Sequence, residues 1–518
     1  MENNPEVRLH TEKYFRKICQ IISEYRYVIL GSLIAGFLAY TYMFTNKFPN
    51  HDDLRALFSK GTTFASGRWG LWLLSFIFPN ISMPWIFGVL SLLFLTVGNC
   101  LIVRIFGIKS PVLQVLLGGM IITFPSQTGT FGYMFTACAY AVSFCLAVLV
   151  TYFLCNGKKQ YVAAILCEIF SLSIYQAYLS VTVSILVLFL IYRMLTEEEN
   201  AKNIFFRGGW FVAFLIASLG LYWIVTKGIW VISGTRLGSY ASNAISFSVT
   251  AIPSGIKNAY KNFFKILFFG YAGLIPSVFL RVLHFLCLIL AGIECLSFIL
   301  RRKDWKQTAL LLFLLAILPM AINSMFLLIA AQAIHTLVLY SFIAIYILLA
   351  IFVEYGQYRS IKTACMNWVH MLCLDCIVLS MAVILLCNVY TANAAALKMQ
   401  LTYENTYAFS VSVATQLQSE PGYTTDSKVA ILGTYDTPDF LKTHFSNVGN
   451  LMGTHGISPT TYSIGDFFAY YIGRELNWAS QKECEALMQT AEFAQMQSYP
   501  NYGCVKQIGD VFVIKISP

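Results

Sequence analysis

Long apolar runs separated by short polar loops dominate the chain. Several reach the roughly 20 residues that a helix needs to cross the hydrocarbon core of a bilayer. Eleven spans are read from the pattern: about Tyr27–Phe44, Pro84–Ile105, Val112–Phe124, Met134–Cys155, Tyr161–Tyr175, Tyr178–Met194, Trp210–Val225, Val278–Leu300, Ala309–Ile329, Thr336–Val353 and Trp368–Val389. Lys and Arg cluster in alternate loops, which sets the N-terminus in the cytoplasm. Residues 45–80 and 226–277 are then long external segments. The Gly-, Ser- and Thr-rich stretch Pro125–Tyr133 reads as an external loop.

After residue 390 the pattern changes. Thr391–Gln418 reads as a helix rising from the membrane and Pro421–Asp426 as a turn. Val429–Gly433 and Val511–Ile516 read as short strands, with helical stretches at Phe467–Glu475 and Lys482–Gln495. The expected fold is a polytopic α-helical membrane protein of about eleven transmembrane helices. Residues 1–390 form the transmembrane module, and 391–518 a small C-terminal extracytoplasmic α/β domain.

Composition agrees. Hydrophobic residues make up 58% and charged residues 12%, about half the charge of a soluble domain. A transmembrane barrel would alternate in ten-residue segments, and none appear. The net charge of +10 is the balance of about +14 before residue 391 and about −4 in the tail. Basic residues beside spans suit cytoplasmic loops and lipid headgroups. There is no basic nucleic-acid-binding module. Most cysteines lie in apolar runs as small hydrophobes. Cys484 and Cys504 are candidates for a disulfide if the tail is extracytoplasmic.

Where charge is scarce, a cluster of it needs a reason. Asn50-His51-Asp52-Asp53-Leu54-Arg55 and Gly67-Arg68-Trp69-Gly70 put two carboxylates and two guanidiniums in the first external segment. A carboxylate at the membrane surface can take the proton of an attacking hydroxyl. Arg offers a planar fork of donors to a departing phosphate. Those are the needs of sugar transfer from a lipid phosphate, whose anomeric carbon already carries a good leaving group. Asp52 or Asp53 is the candidate base. Arg68, Arg236, Lys257, Lys261 and Arg281 are candidate phosphate-binding residues. Lys257, Lys261 and Lys265 recur every four residues among Phe263, Phe264, Ile266 and Leu267, as in an interfacial helix with a cationic stripe.

The Asp52-Asp53 pair, Gly67-Arg68-Trp69, and Ser173-Ile174-Tyr175-Gln176-Ala177 at an outer turn together resemble the GT-C superfamily. Within it they are similar to the membrane glucosyltransferases of phage serotype conversion. The resemblance implies a GT-C-like enzyme with a polyprenyl-phosphate sugar as donor, and the acceptor does not carry over. The reading adopted is an inverting transferase in the bacterial cytoplasmic membrane that moves a hexose, glucose first, from polyprenyl phosphate to an envelope glycan. The resemblance also implies that an acid of the first loop is the base, and carries Arg68 and Gln176 over as site residues. His335 stands near the family's basic position before a late span, commonly Arg. No cofactor is implied, and a divalent metal at the pair is compatible but not required.

Plainer roles stand beside these. Asp52 and Asp53 suit the cap of a loop helix, and Arg68 with Trp69 an interfacial anchor. The lysine stripe suits lipid headgroups. Arg281 and His284 suit snorkelling, and Gln176 suits backbone groups at its turn. Glu168, Glu294 and Asp375 lie inside spans, where acids are functional candidates. Glu294 is near enough to Arg301 and the cytoplasmic face to be partly solvated, and the deeper Asp375 is the best feature for a rival reading as a proton-coupled transporter or lipid-linked glycan flippase. Against it, the spans lack two-half symmetry. No HExxH, P-loop or dinucleotide fingerprint is present. No Asp-x-Asp motif suggests a nucleotide-sugar donor.

Overall fold

The computed structural model describes residues 10–59, 64–78, 81–196, 199–235, 250, 252–302, 304–328, 335–357 and 364–517. Among them, nine helices are long and apolar enough to cross a bilayer: Arg26–Thr45, Pro84–Phe106, Met134–Cys155, Gln176–Leu195, Ala201–Ser233, Val278–Leu300, Trp305–Ile322, Thr336–Gly356 and Asn367–Ser419. Two shorter apolar helices, Pro111–Ile122 and Tyr161–Ile174, stand among them. In hydrocarbon the backbone must satisfy its own polar groups, and helices do so. The chain is a polytopic helical membrane protein.

Two expectations change. The stretch read as the loop Pro125–Tyr133 contains a helix, Pro125–Phe131, in which every residue is buried. Its hydroxyls suggested solvent, but they are satisfied internally. Ser126 Oγ donates to Thr336 O at 2.7 Å, and Thr130 Oγ1 donates to Ser126 O at 3.0 Å. The helix expected at Trp210–Val225 runs from Ala201 to Ser233 and takes up the start of the second external segment. The lysine-bearing stretch is a helix, Ile252–Phe269, with Gly255, Ala259, Phe263, Ile266 and Leu267 buried and Lys257, Lys261 and Lys265 exposed.

The last helix, Ala364–Ser419, has 56 residues, about 84 Å at 1.5 Å per residue. It passes through residue 390 without a break and exceeds the roughly 30 Å hydrocarbon core. Beyond it lies a four-stranded sheet of order β2-β1-β4-β3, with β1 Lys428–Leu432, β2 Asn477–Trp478, β3 Val505–Ile508 and β4 Val511–Lys515. β1 runs parallel to β2 and β4, and β3 antiparallel to β4. Strand alternation divides the sheet's two faces. Val429, Phe512 and Ile514 pack on one side with Phe409, Val413 and Leu417 of the long helix. Ala430, Leu432, Val511 and Val513 pack on the other with Leu487 and Phe493. Lys515 is buried in β4, and its Nζ donates to Phe493 O at 2.9 Å and Ala494 O at 3.2 Å. Cys484 and Cys504 are free thiols in the two separate clusters.

The tail is seated on the helical body by backbone contact. A Cβ at Gly132 would overlap the carbonyl of Gly453, and one at Gly129 the carbonyl of Met452. Thr336 Oγ1 donates to Ala272 O at 2.7 Å and accepts from Met452 N at 3.1 Å. Gly132 has an ordinary φ of −64°, so Gly132→Ala tests the contact rather than the backbone. We expect it to destabilise by about 1–3 kcal/mol and to speed proteolytic release of the tail. Gly209→Ala, a helical position with open space around it, is the control. It should be neutral or stabilising by at most about 1 kcal/mol, as read by thermal unfolding in detergent.

Candidate functional site

The first loop is organised by Asn50, which has no exposed surface. Its Oδ1 accepts the backbone N–H groups of Asp52 at 3.0 Å and Asp53 at 2.9 Å, capping the helix His51–Arg55. Its Nδ2 donates to Gly132 O at 2.8 Å and Gly453 O at 3.2 Å. All four hydrogen-bonding positions of the amide are used. One side chain thereby ties the loop to the helical body and to the tail. Leu54, also fully buried, enters the tail's core beside Phe409 and Phe467. The cap is thus Asn50, not an aspartate.

The two aspartates point to different surroundings. Asp53 is 2% exposed. One oxygen pairs with Lys47, and the other accepts from Ser82 Oγ at 2.7 Å and Phe135 N at 3.1 Å. Phe135 lies in the first turn of Met134–Cys155, where a carboxylate complements the helix dipole. Asp52 has a side chain 48% exposed. It accepts from the Tyr462 hydroxyl of the tail, and its other oxygen is 3.9 Å from His51 Nε2. Arg55 lies over the Tyr462 ring, 5.6 Å from its centroid. The phenol is held protonated, its pKa raised by burial and then by the bond to Asp52.

A second group gathers around Arg68. Gly67 has φ +73°, and a Cβ there would lie 2.7 Å from the Tyr222 hydroxyl. Gln176 Nε2 donates to Ser66 O and to Tyr222 Oη, both at 2.9 Å, and Tyr222 Oη donates to Gly67 O at 3.1 Å. A Cβ at Gly70 would overlap Ser173 Oγ. The two motifs, far apart in sequence, therefore pack on each other. They aim Arg68 at Tyr140, with Nη1 3.4 Å from its hydroxyl, and at the Tyr175 ring, 4.9 Å from its centroid. Those rings are stacked at 4.3 Å. His335 joins the group. Its pKa is lowered by burial and then by the charge of Arg68, and its buried Nδ1 has no hydrogen-bond partner among the described residues.

The other candidates lie elsewhere or are engaged. Lys257 and Lys261 are on the exposed face of their helix. Arg281 donates to Phe268 O at 3.1 Å and Ser277 O at 3.3 Å, covering the C-terminal end of that helix. Arg236 lies outside the described residues. Of the acids in spans, Glu294 meets His370 at 2.7 Å and Glu168 accepts from Thr182 at 2.8 Å. Asp375 is on an exposed helix face rather than in the bundle interior. Among the described residues no three of His, Cys, Asp and Glu gather as a metal-ligand group.

Sequence reasoning missed Asn50, Lys47, Ser82, Tyr140, Tyr222 and Tyr462. Asn50 had a signal, since Asn before an acidic first turn is a good cap. Tyr462, 410 residues from Asp52, had none.

The family model described as glucosyl transferase GtrII matches residues 41–353, more than half of the chain and including both motif segments. Comparison with curated proteins and with solved structures returns no match. Asn50→Ala removes all four bonds of the amide at a buried position. It should cost about 2 kcal/mol or more and lower the unfolding temperature of the whole chain, not of the tail alone. An unchanged midpoint would show that Asn50 does not hold the three segments together.

Proposed function

The chain belongs to the glucosyl transferase GtrII family, and on that premise we propose that it moves glucose from a polyprenyl phosphate to an envelope glycan. In this reading transfer takes place on the extracytoplasmic face of a bacterial cytoplasmic membrane. The tail, 391–518, stands on that face above the GT-C-like transmembrane module, 1–390. That the chain is a membrane glycosyltransferase follows from the family and its apolar helices. Donor, face and stereochemistry are our reading.

One observation carries it. Asp53 is fixed at Phe135, and Arg68 reaches Tyr140 on the same helix. Five residues of helix are about 7.5 Å of rise. In this reading the acidic pair stands at the mouth of the bundle, and the guanidinium about a turn and a half further in. A phosphate held by its lipid at the bilayer edge meets Arg68 and His335 from below, while a hydroxyl arriving from the aqueous side meets the carboxylate above.

Asp52 is the base in this reading. Asp53 already serves Lys47, Ser82 and the Phe135 N–H, whereas Asp52 is open to an acceptor. The acceptor oxygen attacks the anomeric carbon as Asp52 takes its proton. The bond from that carbon to the phosphate oxygen breaks, and its electron pair leaves with the polyprenyl phosphate. Arg68 stabilises the charge that develops there. A single displacement inverts the anomeric configuration. The Tyr462 hydroxyl orients the carboxylate. No step calls for a metal. Asp375, facing away from the bundle interior, offers a transporter reading no path.

Turnover of purified protein on polyprenyl-phosphate glucose tests these roles. Asp52→Asn should lower kcat by about 10²–10⁴-fold with unfolding unchanged. Asp53→Asn leaves Lys47 without its counter-charge and should act first on stability, by about 3 kcal/mol. Arg68→Ala should raise KM for the lipid donor and lower kcat. Full turnover by Asp52→Asn would remove it as the base, and inactivity of the wild type on every polyprenyl-phosphate hexose would remove the donor assignment.

A further inference from the structure

A cavity of about 470 Å³ lies between the first loop, the long helix and the tail. That volume suits a small ligand. His51 lines it from the loop, Lys398 and Asn405 from the long helix, and Lys442, His455 and Thr461 from the tail. Asp52 is next to lining residue His51 in the chain, and it accepts from Tyr462, which follows lining residue Thr461. Lys398 lies eight residues past Tyr390 on the helix, about 12 Å further along. The cavity is thus beyond the apolar stretch, on the side a water-borne glycan would approach.

Its polarity is one-sided. Among the described residues no Asp or Glu lines it. Lys442 is engaged by Asp436 at 2.6 Å and Asp439 at 3.5 Å. Lys398, only 8% exposed, has neither a carboxylate nor a hydrogen-bond acceptor at its ammonium among the described residues. The Nδ2 of Asn405 is buried and likewise has no acceptor. Two polar residues on one helix, seven residues or about two turns apart, therefore line the same cavity. A buried ammonium with no counter-charge is costly, and an anion in the cavity would relieve that cost. His455 is kept neutral, its pKa pushed down to about 4 by burial, then by Lys398 and His51. A neutral imidazole both donates and accepts, as sugar hydroxyls require.

We propose that this cavity is the acceptor subsite and takes a glycan through an anionic group, phosphate or carboxylate, held on Lys398 and Asn405. The histidines bind neighbouring hydroxyls, and the hydroxyl to be glucosylated reaches Asp52. This rests on the transferase reading for the role of Asp52, but the anion site stands on its own residues.

The test is calorimetric binding, without donor, by the full chain in neutral-lipid nanodiscs. The probes are an oligo(glycerol phosphate), an oligogalacturonate and a neutral maltooligosaccharide of equal length. One or both charged probes should bind, more weakly at higher salt, and the neutral one should not. Which charged probe binds identifies the anion. Lys398→Gln should weaken binding about 10-fold or more, and Asn405→Ala and His455→Gln several-fold each. Should Lys398→Gln not fold, the other two variants decide. Asp52→Asn should still bind. Neutral and charged probes binding alike, none binding, affinities unchanged in the variants, or displacement of the charged probe by polyprenyl phosphate would each overturn the proposal. Anion binding without sugar transfer would leave the anion site standing and remove both its acceptor role and the donor reading. Transfer to a neutral glycan with no anion binding would remove the anion site and leave the donor reading.

Discussion

The architecture turns on one amide. Asn50 accepts from the first turn of the loop helix and donates to a carbonyl of the body and a carbonyl of the tail. In a site with no exposed surface each of those bonds replaces one to water, and an unmade one would carry the full desolvation cost. The glycines opposite complete the joint. Side chains at 132 and 453 would separate the very carbonyls that Asn50 reaches. Loop, body and tail are therefore positioned by one set of contacts, and the two aspartates follow from it.

Charge is placed by the same economy. Arg281 and Lys515 serve helix carbonyls, Glu294 serves His370, and Asp53 serves Lys47. Each answers the cost of a charge out of water. What is left points to chemistry. Asp52 is half open beside a tyrosine of the tail, Arg68 lies over a tyrosine of the body, and Lys398 lines a cavity. The acidic pair divides into a carboxylate that builds the loop and one that remains available.

Much of this was legible because long apolar runs have one solution in lipid. The helices Arg26–Thr45, Pro84–Phe106 and Met134–Cys155 lie within two residues of where hydropathy put them. β1 and β4 were visible as short apolar runs, whereas β2, two residues long, carried no signal. Pro125–Phe131 misled because its hydroxyls and glycines look like a loop until the partner backbone is present. Of the site, Asp52, Asp53, Arg68 and Gln176 stood out as polar groups in apolar surroundings. Their division of labour did not, because it is decided by Ser82, Phe135 and Tyr462, which only folding brings to them.

The helix Ala364–Ser419 gives the tail a rigid post rather than a tether. A flexible linker would let the tail's side of the proposed acceptor cavity sample many heights above the lipid. An unbroken helix fixes both its elevation and its azimuth, since each residue adds about 1.5 Å and about 100°. On the proposed reading the enzyme therefore modifies glycans at a set distance from the bilayer. Units of a growing polymer too near their anchor, or too far along it, would pass unmodified, so the spacing of the added sugar is written partly in the length of a helix.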